Sequence, residues 1–261
     1  MAPDPTPIVL ADDSLHVWTA SVSQESVAPT DEALAVLSAD ELARARRFRR
    51  LEDRLLFTQA HIAVRRTLSR YAPIPPQAWS FEPGENGRPE IRNLDAPEGL
   101  RFNLSHTPGM VAIVVNASFD AGVDVECIGR VTDLAAMART SFSSAERASL
   151  LALPTAERPR RFTQTWALKE SFVKAMGTGL TAPLRSFSFD LSSPTLIRFD
   201  CAPHVDRDPS AWSFSVSEPT DNHVLATASR LGSGKGPTVA HFPLCWERSS
   251  PLARSAGDVN R

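Results

Sequence analysis

The alternation of apolar and polar residues predicts a chain rich in short strands. Residues 15–22 (LHVWTASV) alternate with a period of two, which is typical of a strand with one buried face. Residues 184–200 alternate in the same way and predict a hairpin. Further short strands are predicted at residues 8–10, 89–92, 110–115, 122–126, 211–216 and 223–229.

A helical spacing of apolar residues predicts one long helix in the first half. Its buried face recurs every three to four residues and consists of Leu56, Ala60, Ala63, Thr67, Leu68 and Tyr71. Pro73 and the two prolines after it end this helix. Upstream, Ser38 is followed three residues later by Glu41, which is the signature of a capping box at a helix start.

The second half is also expected to contain helices. Residues 134–153 form a helical region in which Ser143 or Ser144 could cap a helix that starts near Glu146. Another helix is predicted over residues 162–176, because Gly177 and Gly179 follow it and can adopt the positive φ that closes a helix.

This layout predicts an α+β protein with two similar subdomains. Each half offers one long helix and several short strands whose spacing suits antiparallel pairing. We expect an N-terminal subdomain over residues 1–121 and a C-terminal subdomain over residues 122–231, with a functional site at their junction. Residues 232–261 are rich in Gly, Ser and Pro and predict a mostly disordered tail, within which residues 241–246 (HFPLCW) could dock.

Composition narrows the class of protein. The hydrophobic content of 42% is ample for a core, and a net charge of −2 argues against a generic nucleic-acid or membrane-surface protein. Cys127, Cys201 and Cys245 are too few and too separated for a disulfide framework or a zinc site. The chain lacks a run of about 18 apolar residues and begins without the features of a signal peptide. We therefore expect a cytoplasmic protein that binds neither nucleic acid nor membrane.

Candidate chemistry begins in the helix at residues 162–176. Trp166, Glu170 and Lys174 recur every four residues, so an aromatic ring, a carboxylate and an ammonium lie on neighbouring turns. A surface ion pair between Glu170 and Lys174 would account for the two charges without any function.

Two carboxylates in the predicted strand 122–126 (GVDVE) suggest a metal site. Asp124 and Glu126 would point to one face of the strand while the valines pack on the other. Adjacent carboxylates repel, and a cation would keep both ionised. All-oxygen ligands that leave room for water and phosphate suit Mg²⁺, although on an exposed edge the pair could simply be solvated.

Basic and hydroxyl side chains in the first half suggest a phosphate site. Arg44 begins an arginine-rich stretch that continues to residue 54, and a planar guanidinium matches phosphate oxygens. Arg88 stands at a glycine-containing turn, and Ser105 and His106, taken to lie at a loop, could both donate to phosphate. The alternatives are a solvated basic face, or a contact with RNA or an acidic protein.

Five of these motifs together resemble the signature of the 4′-phosphopantetheinyl transferases of the surfactin-synthetase (Sfp) type. In order along the chain, they are RRFRRLEDR, ENGRP, FNLSHT, GVDVE and WALKESFVKAMGTGL, spanning roughly residues 38–191. The resemblance implies a monomeric pseudo-dimer of two α+β halves, with coenzyme A and Mg²⁺ in the cleft between them. It also implies transfer of 4′-phosphopantetheine from coenzyme A to a serine of an apo acyl, peptidyl or aryl carrier protein, with release of 3′,5′-ADP.

The resemblance also implies roles for individual residues. Asp124, Glu126 and Glu170 would hold Mg²⁺. Lys174 would reach the pyrophosphate of coenzyme A, and Glu170 would take the serine proton, directly or through a water. The nucleotide end would be held by Arg44, Arg88, Ser105 and His106. Members of the family often carry a basic residue just before Arg44, where this sequence carries Glu41. Contacts with the 3′-phosphate of coenzyme A could therefore be divided differently among the arginines of this stretch. A Mg²⁺-dependent phosphohydrolase would use the same carboxylates with water as nucleophile.

Overall fold

Helices and strands mix along the chain in the α+β pattern that the sequence predicts. The structure, a computed structural model, describes residues 7–22, 29–84, 87–193, 195–231 and 236–244. The helices are α1 (Asp31–Leu34), α2 (Ala39–Arg46), α3 (Leu51–Leu68), α4 (Leu134–Ser141), α5 (Ser144–Ala152) and α6 (Arg158–Met176). The strands are β1 (Ser14–Ser21), β2 (Phe81–Pro83), β3 (Pro89–Ile91), β4 (Leu100–Thr107), β5 (Met110–Ala117), β6 (Asp120–Cys127), β7 (Phe187–Asp190), β8 (Arg198–Cys201), β9 (Trp212–Thr220), β10 (His223–Arg230) and β11 (Thr238–Pro243). Within the described ranges, helices are too short or too polar to cross a membrane.

The first sheet has the strand order β11-β1-β5-β4, and α3 packs against it. Strands β1, β5 and β4 are antiparallel neighbours, whereas β11 runs parallel to β1. The predicted apolar face of α3 is confirmed, since Ala60, Val64 and Leu68 are buried against Trp18 and Ile113. This half of the protein therefore has its own hydrophobic core.

The second sheet has the antiparallel order β6-β10-β9, and α6 lies across it. Leu168 and Phe172 of α6 are fully buried and pack in one cluster with Val224 and Ala226 of β10. Two further antiparallel hairpins, β2 with β3 and β7 with β8, flank the main sheets.

Strands β4 and β6 meet where the two sheets join. A shared apolar cluster contains Val17 and Val114 from the first sheet and Val123 and Val125 from the second. In addition, the Val123 amide donates to Asn103 Oδ1 of β4 at 3.0 Å. The alternation predicted for residues 122–126 is thereby confirmed, because the valines face the core and leave Asp124 and Glu126 on the side that α6 covers.

Helix ends follow the side-chain signals in the sequence. Ser38 caps α2 and Ser143 caps α5, each in a complete capping box with the glutamate three residues later. Gly177 closes α6 with φ of +68°, as expected for a left-handed C-cap.

Some predicted elements differ from the structure. Residues 8–10 form no ladder, although the Ile8 amide donates to the carbonyl oxygen of Arg70. Helix α6 begins at Arg158, because Pro159 sits in its first turn, where a proline costs no hydrogen bond. Residues 238–243 of the tail form β11 instead of being disordered, and the described part of the predicted docked segment, residues 241–244, lies against β1. Residues 232–235 and 245–261 lie outside the described ranges.

Candidate active site

Close packing of β6 against α6 brings the acidic and basic side chains together. A Cβ at Gly122 would lie 2.6 Å from the Ala175 amide nitrogen and closer still to the Ser171 carbonyl oxygen. Only glycine fits at this distance, so the backbones of β6 and α6 are in contact at Gly122, two residues before Asp124. The sequence signal for this approach was the glycine that opens GVDVE.

Lys174 is the centre of the polar network. Its Nζ donates to Asp124 Oδ1 at 2.7 Å, to Ser105 Oγ at 2.9 Å and to the Val123 carbonyl oxygen at 3.2 Å. The Ser105 hydroxyl also donates to Asp124 Oδ1 at 2.9 Å and accepts from the Val125 amide at 3.2 Å. One lysine of α6 is thus bound to β4 and β6 at once. The simple surface pair between Glu170 and Lys174 is not found, since the ion-pair partner of Lys174 is Asp124.

Asp124 has one oxygen without a partner. Its side chain is 5% exposed, and its Oδ2 has no hydrogen bond in the described structure while Oδ1 accepts two. A buried, unpaired carboxylate oxygen is costly in a protein interior, so this atom is available to an incoming cation.

Glu126 and Glu170 carry raised pKa values. Burial, and then the negative charge of Asp124, raise the pKa of Glu126 to about 7 and also raise the pKa of Glu170. The Thr107 hydroxyl donates to Glu126 Oε2 at 3.4 Å, and the Trp166 side chain forms a hydrogen bond with the same carboxylate. Trp166 lies on the cleft side with Glu170 and Lys174, and it also packs against the buried cluster that contains Phe142 and Phe162.

The three carboxylates have the chemistry of a Mg²⁺ site without being assembled into one. Among the described residues, no group of three His, Cys, Asp or Glu side chains is close enough together to hold a metal. The free Asp124 Oδ2, and the pKa values of Glu126 and Glu170 that Asp124 raises, nevertheless show an excess of negative charge that a hard cation would relieve. Oxygen donors of this kind fit Mg²⁺.

One cavity opens onto this network, and a second cavity adjoins the first. One of 520 Å³ is lined by Glu170 and Lys174 together with Arg88 and Trp166. The other, of 450 Å³, is lined by Arg44, whose guanidinium lies 5.2 Å from the ring centroid of Phe57. The residues that line both cavities are Gly87, Pro89 and Leu104. The structure therefore groups Arg88 with the α6 residues and places Arg44 in the neighbouring cavity.

Ser105 and His106 lie in β4, so the expectation that they occupy a loop is wrong. Neighbouring strand residues point to opposite faces, and Ser105 is buried toward Asp124 while the His106 side chain is exposed. Although the His106 ring reaches the surface, it lies among many protein atoms, and the desolvation they cause, and then the charges of His61, Lys174 and Arg130, lower the pKa of His106 to about 4. His106 is therefore neutral near pH 7.

Two buried ion pairs were missed by the sequence analysis. Lys169 is fully buried, and its Nζ lies 2.9 Å from Glu146 Oε2 and donates to the carbonyl oxygens of Leu184 and Phe187 at 2.7 Å. Glu41 accepts from Arg65 at 2.9 Å. Both glutamates belong to capping boxes, of which the sequence analysis had identified the one at Glu41, and their second role depends on distant residues.

The sequence of this chain is similar to those of one protein superfamily. The family model described as "4′-phosphopantetheinyl transferase superfamily" matches residues 120–228. The 4′-phosphopantetheinyl transferase HetI of Nostoc is 32% identical over 240 residues, covering 92% of this chain and 97% of that protein. The 4′-phosphopantetheinyl transferase Sfp of Bacillus subtilis is 32% identical over 170 residues, covering 65% of this chain and 72% of that protein. A solved holo-[acyl-carrier-protein] synthase from Neisseria meningitidis aligns with 43% of this chain and 97% of its own at 20% identity, with a TM-score of 0.38.

Proposed function

This chain belongs to the 4′-phosphopantetheinyl transferase superfamily, and we propose that it transfers 4′-phosphopantetheine from coenzyme A to a serine hydroxyl of an apo carrier protein. The reaction would depend on Mg²⁺ and release 3′,5′-ADP. The observation that carries this proposal is the cavity in which Arg88, Glu170 and Lys174 converge beside Asp124. Cations for phosphates and carboxylates for a metal are the groups that phosphoryl transfer requires.

The carboxylates of β6 and α6 are proposed to bind the metal. Asp124, Glu126 and Glu170 would hold Mg²⁺, with the unpaired Asp124 Oδ2 as one ligand. When bound, Mg²⁺ would neutralise charge on the pyrophosphate and orient it for displacement.

The nucleotide end of coenzyme A is proposed to occupy the 450 Å³ cavity, which adjoins the one lined by Glu170. Arg44 lines that cavity and Arg88 borders it, so both guanidinium groups could pair with phosphate oxygens. His106, neutral near pH 7, would contribute a hydrogen bond rather than a charge. Ser105 would act indirectly, since its hydroxyl is already engaged by Asp124 and Lys174.

Glu170 is proposed to be the general base. Its raised pKa makes the carboxylate a better proton acceptor than an ordinary glutamate. The serine oxygen would form a bond to the β-phosphorus as its proton passes to Glu170, and the bond from that phosphorus to the 3′,5′-ADP oxygen would break. Lys174 would stabilise the charge on the phosphates.

Incubation with coenzyme A, Mg²⁺ and an apo carrier domain tests the proposal by intact-protein mass spectrometry. A gain of one phosphopantetheine on the carrier supports the transferase, whereas free phosphopantetheine with an unmodified carrier identifies a hydrolase. Chelation of the metal should abolish the gain.

Single substitutions test the residue roles in the same assay. Asp124→Ala and Glu170→Ala are each expected to abolish transfer with the circular dichroism spectrum unchanged. Glu218→Ala, which breaks an exposed ion pair with Arg160, is the control that should keep full activity. Full activity of Asp124→Ala would refute the metal assignment.

A further inference from the structure

Every donor of the Lys174 ammonium is already engaged. An ammonium has three N–H groups, and those of Lys174 donate to Asp124 Oδ1, Ser105 Oγ and the Val123 carbonyl oxygen. Contact with a phosphate therefore requires Lys174 to give up at least one of these bonds.

The bond that is most readily exchanged is the one to Asp124. Val123 O belongs to the backbone of β6, and the Ser105 hydroxyl is fixed by the Val125 amide. The Asp124 side chain, in contrast, has a second oxygen ready to bind a cation. Breaking a buried ion pair is costly unless another charge replaces the one that leaves. A metal at Asp124 would be that replacement.

The position of Lys174 permits the exchange. Its side chain is 27% exposed and lines the 520 Å³ cavity, whereas Asp124 is 5% exposed beneath it. A rotation of the flexible lysine stem turns the ammonium from Asp124 toward the cavity, while Asp124 remains in place on β6.

We infer that Lys174 is an exchangeable cation that holds the metal site in an ion pair until the phosphates of coenzyme A draw it away and a divalent cation takes its place at Asp124. This inference rests on the proposed function. The metal competes with the Lys174 ammonium for Asp124, and coenzyme A attracts the same ammonium to its phosphates. Each ligand therefore strengthens the binding of the other.

Isothermal titration calorimetry of Mg²⁺, with and without saturating coenzyme A, tests this exchange. In Lys174→Met the ammonium no longer competes for Asp124, so Mg²⁺ alone should bind about 5- to 150-fold more tightly than to the unaltered protein. With coenzyme A bound, the gain should be much smaller, since Lys174 has by then left Asp124 in the unaltered protein.

Arg160→Met is the matched control. Arg160 lies on the same helix, 14 residues before Lys174 and thus about 21 Å away, so its removal changes the charge of α6 by the same amount without touching Asp124. Mg²⁺ affinity should be unchanged in this variant. Should Lys174→Met fail to fold, Ser105→Ala is the second test. It removes the hydroxyl that donates to Asp124 and accepts from Lys174. We expect Mg²⁺ alone to bind about fivefold more tightly to this variant.

The outcomes separate the two proposals. No binding of coenzyme A to the unaltered protein would overturn the proposed function and the exchange with it. Binding of coenzyme A, with no gain in Mg²⁺ affinity for Lys174→Met or with the same gain in both titrations, would overturn only the exchange. A gain in Mg²⁺ affinity for Lys174→Met that is smaller with coenzyme A bound supports the exchange.

Discussion

Two lysines of α6 show how burial distinguishes a structural ion pair from an exchangeable one. Lys169 and Glu146 are 0% and 2% exposed, and Glu146 also accepts from the amides of Ser143 and Phe189. Lys174 faces a cavity and pairs with an aspartate that keeps one free oxygen. The first pair has no route to a ligand, while the second opens onto one.

Glu146→Ala is expected to lower the free energy of unfolding by about 3–5 kcal/mol, because it leaves the Lys169 charge buried without a partner. Chemical denaturation would measure the change. Glu218→Ala breaks the exposed pair with Arg160 and should cost no more than about 1 kcal/mol. Equal losses for the two variants would contradict this account of the buried pair.

His106 is expected to make stability depend on pH. Its pKa is lowered from 6.5 to about 4 in the folded protein, so the unfolded chain binds more protons between these values. The contribution of His106 to stability is therefore complete above pH 6.5 and is lost as the pH falls toward 4. In His106→Gln, denaturation at a series of pH values should show a shallower loss across that interval. Parallel profiles for the two proteins would rule out this assignment.

At the scale of elements, the contact between β6 and α6 sets the geometry of the cleft. Gly122→Ala would press a methyl group against backbone atoms of Ser171 and Ala175, which cannot move aside by a change of rotamer as a side chain can. We expect a loss of about 1–3 kcal/mol in the free energy of unfolding and a marked fall in transfer activity, since α6 carries Glu170 and Lys174.

Gly84→Ala is the control for that substitution. A Cβ there would meet the end of the exposed Glu90 side chain, which can turn aside. Stability and transfer activity should both change little. A Gly122→Ala variant as active and stable as Gly84→Ala would show that the close approach does not position the site.

Local signals predicted the elements better than the side-chain network. A capping box indicated α2, a helical periodicity indicated α3 and a candidate cap indicated α5. The alternation in residues 122–126 placed Asp124 and Glu126 on one face correctly. The bonds of Lys174 to Ser105 and Asp124 join residues 69 and 50 positions apart, and no local pattern encodes such distances. Resemblance to a family grouped these residues in one site, but the three hydrogen bonds of Lys174 depend on the tertiary structure.

At the scale of the whole molecule, β11 ties the end of the described chain to its beginning. It pairs with β1 in parallel, a contact between segments more than 200 residues apart that sequence alone did not predict. Phe242 stacks on Trp18 with ring centroids 4.5 Å apart, and the Leu244 amide donates to the Thr19 carbonyl oxygen at 2.8 Å. The internal similarity of the two halves, by contrast, stays a prediction.

Phe242→Ala should lower the melting temperature without weakening coenzyme A binding. The ring contributes up to about 1.5–3 kcal/mol by burial, and each kcal/mol corresponds to about 2–4 °C in a protein of this size. Strand β11 is three strands from β4 in the sheet, about 14 Å from the strand that borders the cleft, so the site should keep its geometry. Val239→Ala, on the same strand but 39% exposed, is the control expected to melt close to the unaltered protein. Thermal melts together with calorimetric titration of coenzyme A separate the two effects, and a weakened affinity in Phe242→Ala at a temperature where the protein is folded would mean that β11 shapes the cleft as well as the core.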